Sequence, residues 1–256
     1  MYLFSFTMQT PRQQLLSLIA SISFKLGHFK LSSGGTSDYY LDCRLTTLHA
    51  DGARLTARVV LDEIKRRGWN PRAIGGMTLG ADPIVAAVAM LSAQERLQRA
   101  DSGASRQSST EAGGTAQGPG SPANTLSFAR VEGPGSPANT LSFAGVEGLI
   151  HGFLVRKAEK SHGMEQRIEG YREPGARVVI VEDVVTTGAS TISAIAAARA
   201  AGFEVAGVLC MVEREDANGR PALEQAAAPA PFVRLFTAED IRQEHLRQLA
   251  AAKASR

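Results

Sequence analysis

The run Val178-Val179-Ile180-Val181-Glu182-Asp183-Val184-Val185-Thr186-Thr187-Gly188-Ala189-Ser190 joins an apolar strand to two adjacent acids and then to a turn rich in hydroxyls. In a parallel α/β sheet, ligands collect outside the carboxyl ends of the strands, which is where Glu182 and Asp183 fall. The turn Thr186 to Ser190 offers backbone N–H groups and hydroxyls beside a positive helix end, a setting that suits a phosphate monoester. Gly188 lets the backbone come close to such a ligand. Two carboxylates repel phosphate, so Glu182 and Asp183 read as acceptors for a sugar's hydroxyls while the turn grips its 5-phosphate. The bland alternative is that the acids end the strand and Thr187 N-caps a helix. No GxxxxGK[ST] occurs, and no GxGxxG follows a strand here.

A second segment, Arg156-Lys157-Ala158-Glu159-Lys160-Ser161-His162-Gly163, packs three permanent cations and an imidazole into seven positions. Such charges repel one another unless a polyanion neutralises them. On charge alone a solvated basic loop fits as well. A third feature is Arg214, which closes the apolar run GVLCMV through Val212-Glu213. Its guanidinium fork matches a planar carboxylate, though a lone strand-end arginine is also an ordinary surface residue.

These groups need a frame. Thr10-Pro11 starts a helix with a capping hydroxyl and proline at its first position, Leu15, Leu16, Leu18, Ile19 and Ile22 give it an apolar face, and Gly27 is expected to end it. The stretch 28–44, with its Gly34-Gly35 turn, predicts two short strands in a hairpin. An amphipathic helix spans 50–67 and stops at Gly68, a strand covers 73–77, and Thr78–Asp82 leads into a helix over 83–97. Strands follow at 150–156 and 177–183, then a helix at 187–201, strands at 203–214 and 232–236, and a last helix begun by Thr237 with Asp240 as its capping-box acid. Alternating strands and helices predict an α/β fold with a central, mostly parallel sheet covered on both faces.

Residues 99–148 break the pattern. A polar run precedes GPGSPANTLSFARVE (118–132), which is followed directly by GPGSPANTLSFAGVE (133–147), the copies differing only at Arg130 and Gly145. A repeat this short and this rich in Pro, Gly and Ser cannot bury a core, so 99–148 is expected to be a disordered, tolerated insertion within one domain spanning 10–256, after an extension at 1–9.

Hydrophobic residues make up 44% of the 256 and charged ones 21%, which allows a sizeable core. The net charge of +3 suits an anionic substrate but does not by itself imply a nucleic-acid partner. The two cysteines, Cys43 and Cys210, both read as buried thiols without a neighbouring base, which fits a reducing cytoplasm. No stretch reaches the roughly 18 apolar residues that span a bilayer, and the opening MYLFSFTMQT lacks the basic start of a signal peptide, with Met8 as an alternative start.

The strand-plus-turn run is similar to the phosphoribosyl diphosphate loop of the type I phosphoribosyltransferases, E/D-D-x-x-T-T/A-G-x-S/T. Within that family the chain most resembles the orotate phosphoribosyltransferases, over nearly all its length except the insertion and extreme N-terminus. The basic segment looks like that enzyme's mobile loop, R-K-x-x-K-x-H-G, and Ser32 to Asp42 is similar to the N-terminal hood where a flat pyrimidine stacks near aromatic side chains. The resemblance implies the type I phosphoribosyltransferase fold with a small N-terminal hood, and transfer of 5-phosphoribosyl from phosphoribosyl diphosphate to orotate. It implies donor contacts from Arg156, Lys157, Lys160, His162 and the run Glu182, Asp183, Val184, Val185, Thr186, Thr187, Gly188, Ala189 and Ser190. Orotate contacts fall to Thr186 and Arg214, and Lys160, His162 and Asp183 are placed closest to the chemistry.

Mg²⁺ is expected as cofactor, held mainly through substrate oxygens and water rather than by protein ligands. Lys160 and His162 would be offered to the neighbouring subunit, which implies a homodimer with shared sites, with neither nucleic acid nor membrane as partner. The chain departs from some members by having Ser32 in place of a lysine, and no lysine in Thr78–Asp82. The alternatives are transfer to another base, which Arg214 and the basic loop disfavour, and a regulator that senses phosphoribosyl diphosphate. The regulator should carry a winged-helix or strongly basic N-terminal module, and 1–30 shows none. A fused decarboxylase barrel would not fit in this length.

Overall fold

A computed structural model of the protein describes residues 9–30, 35–107, 148–157 and 167–255, with backbone alone for 100–107. Helix α1 (Pro11–Leu18) begins with the expected cap: the Thr10 hydroxyl accepts from the Gln13 amide, and the Gln13 side chain accepts from the Thr10 amide. A π-helical turn, Ile19–Ser23, follows, and the chain goes extended at Phe24 to enter strand β1 (Phe24–Lys30). Gly27 therefore does not end the helix. It lies inside β1, in the irregular register between Leu26 and Phe29, where a Cβ would come within 3.1 Å of the Phe29 ring. Leu15 and Ile19 are fully buried, so the apolar face was right and only its end was misjudged. Pairing of Phe24 with Leu41 across the hairpin outweighs the local helix signal.

β1 pairs antiparallel with β2 (Thr36–Leu41), and α2 (Arg44–Thr47) and α3 (Ala50–Arg66) follow. Then come β3 (Ala73–Met77), α4 (Asp82–Gln107), β4 (His151–Val155), β5 (Ile168–Gly170), β6 (Arg177–Val185), α5 (Ala189–Ala200), β7 (Glu204–Glu213), α6 (Arg220–Ala227), β8 (Phe232–Thr237) and α7 (Ala238–Ala254). The Thr237–Asp240 capping box forms as expected. α4 runs ten residues beyond Leu97, so 99–107 are helical, while 108–147 lie outside the described residues. α2, β5 and α6 had no sequence counterpart.

Six strands form the main sheet in the order β5-β4-β3-β6-β7-β8, parallel except for the β4–β5 edge. Side chains of β6 alternate between two cores. Val179 and Val181 join the face covered by α1, α3, α4 and α7, while Val178 and Ile180 join the face covered by α5 and α6. A strand buried on both sides must be apolar throughout, which explains the unbroken run before Glu182. The strand order reverses between β3 and β6, and the helices that follow them leave on opposite faces. A crevice opens between two such carboxyl ends, so the topology sets the loop after β3 against the loop after β6.

Beneath that crevice β3 packs closely against β6. A Cβ on Gly76 would lie 2.1 Å from the Val181 carbonyl oxygen and 2.7 Å from the Ala81 Cβ. Backbone cannot rotate away as a side chain can, so Gly76→Ala should destabilise the protein by about 3 kcal/mol, the upper range for overpacking. The midpoint of urea unfolding reads this directly, and an unchanged midpoint would show that β3 and β6 are free to separate.

Candidate active site

β6 ends with its two acids in the floor of a cavity of about 390 Å³. Its walls come from β2 and α2 (Tyr40, Asp42, Arg44), the loop after β3 (Thr78, Leu79, Gly80), Lys157 after β4, and Val184, Thr186, Ser190 and Arg214. Glu182 is 6% exposed, and its Oε2 accepts from the Thr191 hydroxyl at 3.1 Å. Asp183 Oδ1 accepts from the Val184 amide at 2.9 Å. Among the described residues neither acid forms an ion pair. Burial, with the adjacent Asp183, pushes Glu182 up to about 8, and burial likewise lifts Asp183 above the usual carboxylate range. Gly80 sits so close that a Cβ there would lie 2.3 Å from Asp183 Oδ1, so a side chain at this position would have to displace the acid.

Beyond the acids the turn takes the shape the residue types suggested, with one change. α5 begins at Ala189 rather than Thr187, because Gly188 takes the N-cap position with φ of 78°, a left-handed conformation that favours glycine. No side chain caps the helix, which leaves its first-turn amides directed at the cavity mouth beside the exposed Thr186, Thr187 and Ser190. Val185 is buried in the core, so it can offer only backbone. The next loop braces the turn: a Cβ on Gly219 would be 2.2 Å from the Thr186 carbonyl oxygen, and the Arg214 amide donates to the Val185 carbonyl at 2.8 Å.

Arg214 is 12% exposed. Its Nη2 donates to Asp216 Oδ2 at 2.8 Å, and its guanidinium lies 4.6 Å from the centre of the Tyr39 ring. The Tyr39 hydroxyl donates to the same aspartate at 3.2 Å, so ring, guanidinium and carboxylate hold one another in place. Burial raises the Tyr39 pKa, keeping that hydroxyl a donor. The two tyrosines of the hairpin therefore divide: Tyr39 supports Arg214 from the interior, and Tyr40 is exposed at the cavity wall.

Lys157, Thr186, Ser190, Arg214, Glu182, Asp183 and Val184 thus share one cavity. Arg156 does not reach it, since its Nη1 donates to Glu169 on β5 at 3.1 Å. Lys160, His162 and Ser32 lie outside the described residues. Asp42, Arg44 and Asp216 were missed. Each sits two positions from an opposite charge, in Asp42-x-Arg44 and Arg214-x-Asp216, a spacing that becomes meaningful only once the backbone curls.

Both cysteines are buried, and burial pushes both thiols up, away from nucleophilic use. Glu182 and Asp183 offer hard carboxylate oxygens to the cavity, which fits Mg²⁺ that brings most of its other oxygen ligands from substrate and water.

No protein-family model matches the chain. It is 34% identical over 215 residues to the orotate phosphoribosyltransferase of Rhodopirellula baltica, covering 82% of this chain and 84% of that protein. The orotate phosphoribosyltransferase of Aquifex aeolicus is also 34% identical, over 221 residues, covering 85% and 91%. Among solved structures, Mycobacterium tuberculosis H37Rv orotate phosphoribosyltransferase in complex with 5-phospho-α-D-ribosyl 1-diphosphate matches with a TM-score of 0.57 and 25% identity, over 91% of this chain and 99% of that one.

The raised Glu182 gives a signed pH dependence. The folded state binds its proton more tightly than the unfolded chain, where the value is 4.5. Its contribution to stability is therefore full at acid pH and is lost as pH rises from about 4.5 through about 8. Between pH 6 and 8.5 the ligand-free Glu182→Gln protein should lose less unfolding free energy than the parent, by on the order of 1–3 kcal/mol. Parallel declines in urea titrations of the two proteins would mean that Glu182 is not buried as described.

Proposed function

The chain belongs to the orotate phosphoribosyltransferase family, and from that premise we propose that it transfers 5-phosphoribosyl from phosphoribosyl diphosphate to orotate, giving orotidine 5'-phosphate and diphosphate in pyrimidine biosynthesis. The observation that carries this reading is the joint presence, in one cavity, of the Glu182–Asp183 pair, the uncapped turn before α5 and the clamped Arg214. Each matches one part of the two substrates.

The 5-phosphate is held by the amides of the turn Thr186–Ala189 and the hydroxyls of Thr186, Thr187 and Ser190, where a helix end favours negative charge. Glu182 and Asp183 accept hydrogen bonds from the ribose hydroxyls, and Val184 and Val185 contribute backbone. Held in place by the strand and by the Thr191 hydroxyl and Val184 amide, the two acids need little reorganisation to receive those hydroxyls. Arg214 receives the carboxylate of orotate on the edge of its guanidinium that faces the cavity, with Thr186 as a second contact. As the bond between the anomeric carbon and the diphosphate oxygen breaks, the orotate ring nitrogen, having given up its proton, forms the new bond to that carbon. Positive charge spreads over the sugar and negative charge over the departing group, as in other glycosyl transfers. Bound Mg²⁺ would supply charge neutralisation on the diphosphate.

Lys157 is the described cation of the basic segment that reaches the cavity. We assign Lys160 and His162 to the diphosphate as well, offered to the site of a neighbouring subunit, so the active species is a homodimer. Arg156, paired with Glu169, would have to exchange that partner to take part. The reading treats 10–256 as one phosphoribosyltransferase domain with 99–148 as a tolerated insertion. Two buried thiols fit a cytoplasmic setting, and no helix among the described residues is long and apolar enough to cross a membrane.

The direct test is the loss of orotate absorbance on mixing protein, orotate, phosphoribosyl diphosphate and Mg²⁺. Consumption should require all components, and none with the complete mixture would overturn the assignment. Arg214→Ala should raise KM for orotate roughly 10- to 100-fold, the loss of charged hydrogen bonds. Lys160→Ala should cut kcat about 100-fold or more while the protein stays folded. If subunits share sites, mixing these two impaired proteins at an orotate concentration well below the raised KM restores activity; a mixture no more active than its parts would exclude sharing.

A further inference from the structure

Two arginines line the cavity, and both are held in the same way. Arg214 is bound through Nε and Nη2 by the carboxylate two residues after it, at 3.4 and 2.8 Å. Arg44 is bound through Nε and Nη2 by the carboxylate two residues before it, both at 2.8 Å. Among the described residues, Nη1 of neither arginine has a hydrogen-bond partner. The base of Arg44 is fixed by the core. Cys43 is fully buried, the Asp42 amide donates to the Ser23 carbonyl at 2.9 Å, and the Arg44 amide donates to Asp42 Oδ1 at 3.1 Å. The tip is open, with the side chain 49% exposed. A surface ion pair joins two mobile side chains and contributes little. This one aims a pre-oriented guanidinium edge from a rigid base into the cavity.

We propose that Arg44 binds the diphosphate of the donor, supplying hydrogen bonds and charge to the leaving group in the reaction proposed above, a role that rests on that reading. The donor's parts follow one another in bond order: 5-phosphate, ring hydroxyls, then diphosphate on the carbon next to the 2-hydroxyl. The turn before α5 takes the first and the acids take the second. Whatever lies beside the acids, away from the turn, meets the third. Asp183 accepts from the Val184 amide near the end of β6 that leads into the turn, and the field of the Asp42–Arg44 pair reaches it as well. The hydrogen bonds that Arg44 donates to Asp42 raise its pKa, and the charge of Asp183 adds to the rise. A guanidinium has donors only, so it must face acceptors. The loop that also touches Asp183, Thr78–Asp82, contains no lysine or arginine. Among the described residues, permanent positive charge on this part of the lining comes from Arg44 and Lys157.

The test uses magnesium diphosphate as probe and two readouts. By calorimetry, Arg44→Gln should weaken diphosphate binding about tenfold or more, the cost of losing charged hydrogen bonds. Arg44→Lys, which keeps a point charge, should fall between. In steady-state kinetics KM for phosphoribosyl diphosphate should rise while KM for orotate stays unchanged. In the unaltered protein, magnesium diphosphate should protect Arg44 from arginine-selective modification by phenylglyoxal, mapped by peptide mass, and orotate alone should not. Unchanged diphosphate binding in Arg44→Gln, a rise confined to the orotate KM, or modification of Arg44 undiminished by diphosphate would each overturn the proposal. Should Arg44→Gln fail to fold, the protection experiment decides alone. If the protein protects Arg44 with diphosphate yet consumes no orotate, the transfer reading fails and the diphosphate site stands.

Discussion

The adjacent carboxylates of buried Glu182 and half-buried Asp183, neither with a cationic partner among the described residues, form the constraint around which this molecule is organised. Glu182 and Asp183 lie near the carboxyl end of β6, a strand closed on both faces, and they accept from the Thr191 hydroxyl and the Val184 amide rather than from a cation. Desolvated like charges side by side are costly, and the acids meet that cost by retaining a proton rather than by pairing. The arginines that line the same cavity could have neutralised them, yet each is held by an aspartate of its own. Charge is thus segregated along the cavity: unsatisfied acceptors at the floor, clamped donors at the rim. Such an arrangement is poor for stability and well suited to a ligand that carries hydroxyls and anions at fixed separation.

Register keeps the segregation in place. The parallel ladder between β6 and β7 continues past the acids to Val184–Val212 and Val185–Glu213, and the Arg214 amide adds one more bond to Val185. Thr186 and Arg214 therefore leave the sheet side by side, and a slip of one residue would turn Arg214 away from the cavity. The next pair out is anchored as well. Glu213 is buried and accepts from Arg220 at the start of α6 and from Arg234 on β8, and those two guanidiniums hold its carboxyl below the usual range against the effect of burial. The loop between β7 and α6, fixed at both ends, is what presses Gly219 against Thr186. Site geometry here is a consequence of sheet geometry carried two residues beyond the last strand.

That chain of cause explains what could be read from the residues alone. The acids, the turn, Lys157 and Arg214 were legible because each belongs to a contiguous run whose chemistry and whose place at a strand end agree. The parallel sheet was legible from apolar strands spaced by amphipathic helices. Elements of three to eight residues, α2, β5 and α6, carry too few periodic positions to be distinguished from loop. The early helix was carried to Gly27 because glycine is the nearest stop signal after the apolar face that ends at Ile22, whereas long-range pairing of Phe24 with Leu41 decides where it stops. Asp42, Arg44 and Asp216 were invisible for a different reason. Their spacing in sequence is unremarkable, and only the folded hairpin and the 3₁₀ turn at Glu215–Ala217 bring each acid onto the edge of its arginine.

Clamping an arginine with an internal carboxylate also bears on discrimination. An unpaired buried guanidinium would reject a neutral base simply by being left uncompensated when that base binds. Arg214 is never left so, because Asp216 remains on its Nε–Nη2 edge whatever occupies the cavity. Selection for an anion must then come from attraction at the exposed edge, which the aspartate weakens by partly neutralising the charge. Tyr39 offsets this. Its ring covers the guanidinium face and leaves the Arg214 side chain only 12% exposed, so the remaining attraction acts in a drier setting where it is stronger. The same reasoning separates the two arginines. Arg44 is half exposed and without a stacked ring among its contacts, so its edge suits a highly charged, well-hydrated group, while the shielded Arg214 suits a flat monoanion that must itself lose water to enter.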